Sequence, residues 1–137
     1  FNQILKLYPE LNLVILGEGE LENKLKKIAK NLKISVDSEV TIRVIEPKKS
    51  ILYMIKNISV CDIFIAGSTG PLHVAGALNK RTIGFYPKKK SSTSLRWETI
   101  NNFENKLSFT DFGNNKNFIS VDVKKSLLKM QKFISSI

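Results

Sequence analysis

The stretch Asp62-Ile63-Phe64-Ile65-Ala66-Gly67-Ser68-Thr69-Gly70-Pro71-Leu72-His73-Val74-Ala75-Gly76-Ala77-Leu78 decides the fold. Its first five residues include four consecutive apolar ones and read as a buried strand. Gly67-Ser68-Thr69-Gly70 breaks the strand. Pro71 suits a first helical position, where its missing N–H costs nothing, and the small and apolar residues that follow predict a helix to about Leu78. Thr82 to Tyr86 is then a second apolar, β-branched run and predicts the next strand.

Working outward, the same alternation recurs. Residues 2–8 read as the end of a helix stopped by Pro9. Leu13-Val14-Ile15-Leu16 is a short continuous apolar run ending in Gly17-Glu18-Gly19-Glu20, as a strand buried on both faces would be. Leu21, Leu25, Ile28, Ala29 and Leu32 fall at helical spacing over residues 20–33. Val40 to Ile45 reads as a strand closed by Pro47, and Ser50 as the cap of a helix over 51–58. Residues 87–105 read as a long polar connection, and 106–120 as two short strands around Gly113-Asn114-Asn115. A final amphipathic helix is predicted over 122–136, with Val123, Leu127, Met130 and Ile134 near one face.

Strands alternating with helices imply an α/β fold, a parallel sheet with helices on both faces. Such sheets place ligands at the carboxyl ends of their strands. Three loops are therefore candidates: residues 17–20, 67–73 and 87–97.

Composition narrows the classes. The chain has 137 residues, 42% apolar and 25% charged, as an ordinary globular protein does. It contains no apolar run of about 18 residues that would span a bilayer, and no signal peptide is visible. Its one cysteine, Cys61, cannot form an intramolecular disulfide, which suits a reducing compartment. One histidine, His73, leaves no room for a His/Cys metal cluster. The formal net charge is +10, which favours acidic partners. Nineteen of the 22 basic residues are lysine, and the chain is also rich in Asn and Ile, a bias that an AT-rich coding sequence produces without any function. The chain begins at Phe1 and is read as part of something longer.

The loop after the third strand carries the sharpest chemical signal. Two glycines allow a tight turn and close approach of a ligand. Ser68 and Thr69 offer hydroxyls, and a helix start directs free N–H groups and partial positive charge outward, as a phosphate site requires. The alternative is an ordinary strand–helix turn whose N-terminus meets only water. No Gly-Lys-Ser/Thr follows, so this is no P-loop, and the glycine spacing is not that of a dinucleotide fingerprint. His73 falls on the first helical turn; it has no carboxylate partner identifiable by spacing, and the alternative is a packing histidine. Glu18 and Glu20 could accept hydrogen bonds from a ribose diol or complement a helix N-terminus. Lys88, Lys89, Lys90 and Arg96 could reach phosphates or an anionic acceptor, although at least two of the three lysines read as solvated charge. Trp97 reads as cover for the loop rather than as a stacking surface.

The stretch from Cys61 to Tyr86 resembles the C-terminal domain of the family 9 glycosyltransferases, the lipopolysaccharide heptosyltransferases and their relatives. The matching pattern is a strand, then Ser68-Thr69-Gly70, two residues, His73, a small-residue helix, Arg81 in the turn and a strand ending Gly84-Phe85-Tyr86. Gly17-Glu18-Gly19-Glu20 and Glu46-Pro47 also fit. The resemblance covers about residues 1–100 well and the last helix loosely.

It implies the GT-B architecture, in which two Rossmann-like domains face a cleft, and it makes residues 1–137 the single nucleotide-sugar donor domain. The acceptor domain, the catalytic base that it carries and the first strand of the donor domain are expected outside this chain. The resemblance further implies a metal-independent enzyme without cofactor. Ser68, Thr69, Gly70, Pro71, Leu72 and His73 would line the donor diphosphate, with Thr69, Gly70 and Leu72 as N–H donors, and His73 would position the loop or contact the donor. Glu18 and Glu20 are the ribose candidates; Lys88 and Arg96 are candidates for phosphate or acceptor. The donor is expected to be ADP-linked and the acceptor a lipopolysaccharide core or related glycan. No nucleic-acid partner is expected. The setting is cytoplasmic, with peripheral contact at the inner face of the inner membrane. Ser68 stands where many heptosyltransferases have Asp, which leaves a donor sugar other than heptose open. Two other readings are a UDP-dependent, epimerase-like enzyme and a non-enzymatic polyanion-binding module, whose affinity would fall steeply with salt.

Overall fold

The structure is a computed structural model. It describes residues 13–16 and 42–45 as backbone, and residues 50–88, 94–113 and 120–136, with 95 and 96 as backbone alone. The chain divides into two compact units, Phe1–Lys49 and Ser50–Ile137.

In the first unit, β1 (Leu13–Leu16) and β2 (Ile42–Ile45) pair in parallel, with Leu13 opposite Ile42 and Leu16 opposite Ile45. Both strands fall where the apolar runs predict them. The predicted helices over 2–8 and 20–33 and the turn at 17–20 lie outside the described residues.

The second unit runs α1 (Ile51–Ser59), β3 (Ile63–Gly67), α2 (Gly70–Ala77), β4 (Arg81–Tyr86), α3 (Ser94–Trp97), a single 3-10 turn (Phe103–Asn105), β5 (Lys106–Thr110) and α4 (Val123–Ile134). The sheet order is β3-β4-β5, all parallel. This is the Rossmann-like α/β arrangement expected from the alternation of elements. The three strands end together at Gly67, Tyr86 and Thr110, so their following loops share one edge of the sheet. Two hydrogen bonds extend the ladder past the strand ends, from Ser68 N–H to the Phe85 carbonyl at 3.0 Å and from Asp111 N–H to the Tyr86 carbonyl at 2.8 Å.

The central strand shows why an apolar, β-branched run was needed. Thr82 and Ile83 point to opposite faces, and both are buried, so both faces of β4 are covered. Ile58, Leu72, Ala75, Ile83 and Tyr86 form the core with Phe109 and Ile134. Phe85 and Phe109 are register partners, and their rings stack 5.3 Å apart. Such a pair adds about 1 kcal/mol to the burial of its area. Gly84 is required by space, since a Cβ there would lie 2.6 Å from the Tyr86 ring.

Three expectations change, and one is met in its first half. The connection over 87–105 is not wholly irregular, because α3 and the 3-10 turn lie within it. Of the two strands expected over 106–120, β5 is the first; Ser120 is not in a strand, and 114–119 lie outside the described residues. Asp111 ties the two ends of this stretch together: its carboxylate accepts the N–H groups of Gly113 and Ser120, both at 2.8 Å, and Phe112 N–H donates to the Ser120 carbonyl at 3.1 Å. Ser50 sits at the α1 N-cap without a side-chain capping bond, and its carbonyl accepts the Met54 N–H instead. Last, neither Gly67 nor Gly70 has positive φ, so neither glycine is there to make the turn.

Candidate functional site

The site is built at the carboxyl end of β3. Thr69, extended at φ −135°, is the N-cap of α2, and Pro71 occupies the first turn. Several bonds fix this corner. Ser68 N–H is held by β4, as above. The Thr69 hydroxyl donates to the Gly67 carbonyl at 3.2 Å, and the Thr69 carbonyl accepts Leu72 N–H at 3.1 Å and His73 N–H at 3.4 Å. Leu72 is fully buried and anchors the first turn in the core.

The donor set is smaller than expected. Leu72 was expected to offer its N–H outward, but the Thr69 carbonyl engages it. Ser68 N–H is committed to the sheet, and Pro71 has none. Among the described residues, the N–H groups of Thr69 and Gly70 make no hydrogen bond. Two adjacent backbone donors at the start of an eight-residue helix are what an anion can use.

The glycines agree. A Cβ at Gly70 would meet no described atom within 4 Å, and one at Gly67 only the Phe85 carbonyl at 3.9 Å. Neither conformation nor internal packing demands glycine at these positions. Gly76, six residues on, is different, because a Cβ there would lie 2.7 Å from Thr99 Cβ. The glycines of the loop leave surface open; the helix glycine is filled by the protein's own chain.

His73 lies one turn into α2, half-buried, with its ring 6.0 Å from that of Trp97 and inclined at 63°. Trp97 is 48% exposed, so it covers the loop only in part. The segment bearing it is braced on β5: Ser108 Oγ donates to Glu98 Oε1 at 2.6 Å, and Lys106 Nζ pairs with Glu98 Oε2 at 3.2 Å. The structure thus brings Ser68, Thr69, Gly70, Pro71, Leu72, His73 and Trp97 together. Lys88 is exposed beyond β4. Lys89, Lys90, Glu18, Glu20 and the side chain of Arg96 lie outside the described residues. Among the described residues no group of three His, Cys, Asp or Glu side chains could hold a metal ion.

Four residues order the opposite edge of the sheet, where β4 and β5 begin, and their contacts were not foreseen from sequence. Asn101 is buried, and its Nδ2 reaches the carbonyls of Lys80 and Asn105, both at 2.7 Å, while its Oδ1 is buried without a partner. Thr82 and Thr99 share a buried hydroxyl contact at 3.1 Å. Arg81 reaches the end of α4, donating to the Phe133 carbonyl at 2.6 Å and the Ser136 carbonyl at 2.8 Å, over the Phe133 ring. An Asn-Asn pair and a basic residue in a turn were the only signals. Burial pushes the Tyr86 phenol above its ordinary range, and the nearby Glu98 charge adds to the shift. Burial also raises the Cys61 thiol, which donates to the Asn57 carbonyl.

A groove lined by Phe109, Phe112, Asp122, Lys125, Ser126 and Lys129 opens beside β5 and α4, apart from the loop after β3. The loop is the better candidate for an anion, since the helix start at the groove is already capped: Asp122 accepts Lys125 N–H at 3.0 Å.

A Rossmann-like parallel α/β domain with open backbone donors where its strands end is thus the class that fold and site define. The chain belongs to glycosyltransferase family 9, the heptosyltransferase family, whose model matches residues 5–127. Over 93 residues it is 34% identical to a Haemophilus influenzae protein named "Putative glycosyltransferase", covering 68% of this chain and 25% of that protein. It is 25% identical over 91 residues to a lipooligosaccharide heptosyltransferase 2 of Campylobacter jejuni serotype O:2, covering 66% of this chain and 28% of the relative. The serotype O:6 protein of the same name is 26% identical over 90 residues, again 28% of its length. The matched stretch is about a quarter of the length of these curated relatives. No solved structure matches the chain.

Proposed function

We propose that this chain is the donor-binding part of a glycosyltransferase that moves a heptose-like sugar from an ADP-linked donor to a lipopolysaccharide core or related surface glycan. The observation that carries the reading is the pair of unengaged N–H groups at Thr69 and Gly70, beside glycines that the fold itself does not need. Glycosyl transfer from a nucleoside diphosphate sugar leaves a diphosphate whose negative charge grows as the bond breaks. Fixed backbone donors and a helix start stabilise that charge without reorganising. The Ser68 hydroxyl adds a donor, the Thr69 hydroxyl holds the corner through the Gly67 carbonyl, and His73 positions the loop or contacts the donor. Lys88 and Arg96 are proposed to reach phosphate or acceptor, and Glu18 and Glu20 the ribose. No metal or cofactor is required by this scheme, and the catalytic base belongs to the acceptor-binding part. The enzyme would work in the cytoplasm, peripheral to the inner face of the inner membrane. The names of the Campylobacter relatives favour heptose and lipooligosaccharide; Ser68 in place of Asp keeps the sugar open.

The test is an amide-resolved NMR titration of the chain with ADP and UDP at low and high salt. Shifts centred on 67–73, stronger with ADP and persistent in salt, are expected. Stronger shifts with UDP would move the assignment to a UDP-dependent enzyme. Diffuse, salt-sensitive shifts over the lysines would replace the donor site by general polyanion binding.

A further inference from the structure

The helix α4 has a face that the donor site does not use. Lys124, Lys125, Leu128, Lys129 and Lys132 are all exposed and fall within less than half a turn of the helical wheel. Among the described residues none of the four lysines forms an ion pair. The opposite face is packed, with Ser126 and Ile134 buried. The Arg81 bonds to the Phe133 and Ser136 carbonyls hold the far end of the helix, so the lysine face is fixed outward.

Large apolar side chains stand among these charges. Leu128 is 60% exposed between the lysines, and Phe112 is 63% exposed across the groove from Lys125 and Lys129. The acidic groups nearby are engaged: Asp122 caps the helix, and Asp111 accepts two backbone N–H groups. Cationic side chains with exposed apolar ones between them suit a surface that is anionic and greasy at once. A single-stranded nucleic acid would need a row of stacking platforms among the lysines, and Leu128, which stands between them, has no π-face to offer.

We infer that the exposed face of α4, with Phe112 at its side, docks onto an anionic phospholipid surface. The lysines meet the headgroup phosphates, and Leu128 and Phe112 reach the acyl boundary. This deepens the membrane part of the function proposed above by assigning its surface, and it is independent of nucleotide binding.

The experiment is co-sedimentation of the 137-residue chain with vesicles of phosphatidylcholine alone and of phosphatidylcholine mixed with phosphatidylglycerol. Binding is expected only with phosphatidylglycerol, and weaker in salt. Lys129→Gln with Lys132→Gln should lower partitioning roughly thirtyfold, from about 1 kcal/mol per lysine near such a surface. The charge-matched pair Lys56→Gln with Lys80→Gln, outside both α4 and the loop after β3, should change it far less. Leu128→Ser should weaken vesicle binding and leave binding to a DNA duplex unchanged. Failure to bind phosphatidylglycerol vesicles, an equal loss in the control pair, or a Leu128→Ser chain that binds vesicles as before would each overturn the assignment. ADP titration of the same variants separates the outcomes, because a change in vesicle binding with intact nucleotide shifts concerns this face alone.

Discussion

Replacing Gly70 by alanine tests the reasoning about the loop most directly, because fold and function are expected to respond in opposite directions. Gly70 is the first residue of α2, its φ is not positive, and a Cβ there would meet no described atom within 4 Å. The methyl group therefore costs nothing in strain or overlap. Alanine loses less backbone entropy than glycine on entering a helix, by about 0.5–1 kcal/mol in the interior and less at the first turn. Gly70→Ala should therefore raise the melting temperature by roughly 1–3 °C. The same methyl group would stand beside the Thr69 and Gly70 N–H groups, where a phosphate of the proposed donor would approach. Loss of one charge-assisted hydrogen bond is worth about 1.5–3 kcal/mol, so ADP affinity should fall by roughly tenfold to a hundredfold. Gly76→Ala is the contrast. Its Cβ would press on Thr99 at 2.7 and 3.1 Å, and overpacking of this kind costs about 1–3 kcal/mol, set against the helix-propensity gain. It should melt lower and, where folded, bind ADP normally. Thermal denaturation and calorimetric titration of both variants read these four quantities. A Gly70→Ala chain that is less stable, or that binds ADP as tightly as the parent, refutes the argument that the glycine is kept for a ligand.

Asn101→Asp should destabilise the chain by about 3 kcal/mol near neutral pH, because a buried carboxylate would face the Lys80 and Asn105 carbonyls. The loss should ease as pH falls and the carboxyl protonates; equal loss at acid and neutral pH would contradict this. Arg81→Lys should lose about 2 kcal/mol in denaturant unfolding, since an ammonium cannot reach both carbonyls at the end of α4 and lie over Phe133 as the planar fork does; full rescue by lysine would show the fork to be irrelevant. Tyr86 titrates above its ordinary 10.0 in the folded chain, chiefly through burial. The unfolded chain then loses its proton first, so stability is complete below that value and falls as pH rises past it. Tyr86→Phe should flatten that part of the stability curve, and a curve unchanged above pH about 10 would assign the dependence to another group.

The sheet was legible because its strands are short apolar runs and its helices begin at recognisable punctuation. Asp62 to Leu78 and Thr82 to Tyr86 gave β3, α2 and β4 within a residue or two at each end. The segment 87–105 was not legible, because its order comes from partners far along the chain and not from periodicity. Asn101 is buried by what it bonds, at Lys80, Thr82 and Asn105. Asn79, at φ 51°, joins the same corner through the Asn102 N–H at 3.2 Å. Polar side chains read from sequence as solvent-facing, and only the fold shows that these replace water with backbone carbonyls. The position of the candidate loop, between β3 and α2, was legible for the reason that the sheet was. The identity of its donors was not, since an N–H is available only if nothing else in the fold takes it.

That distinction bears on what the loop can do. Glycine marks four positions along β3, α2 and β4, and sequence treats them alike. The structure separates them by cause. Gly76 and Gly84 admit Thr99 and the Tyr86 ring and serve the core, whereas Gly67 and Gly70 admit nothing of comparable closeness. The surrounding bonds also fall into two groups. Ser68 N–H, Leu72 N–H and the Thr69 hydroxyl are spent on holding the corner, and Leu72 is sunk in the core beneath it. What they hold is a pair of adjacent donors at a fixed helix start. A seat assembled in this way would take the charge of the proposed donor without first breaking bonds of its own, which is the condition under which backbone dipoles lower the energy of a developing anion. The rigidity of this corner and the openness of Gly70 are therefore one arrangement, and a substitution that loosens the first should weaken binding even when it leaves the second untouched.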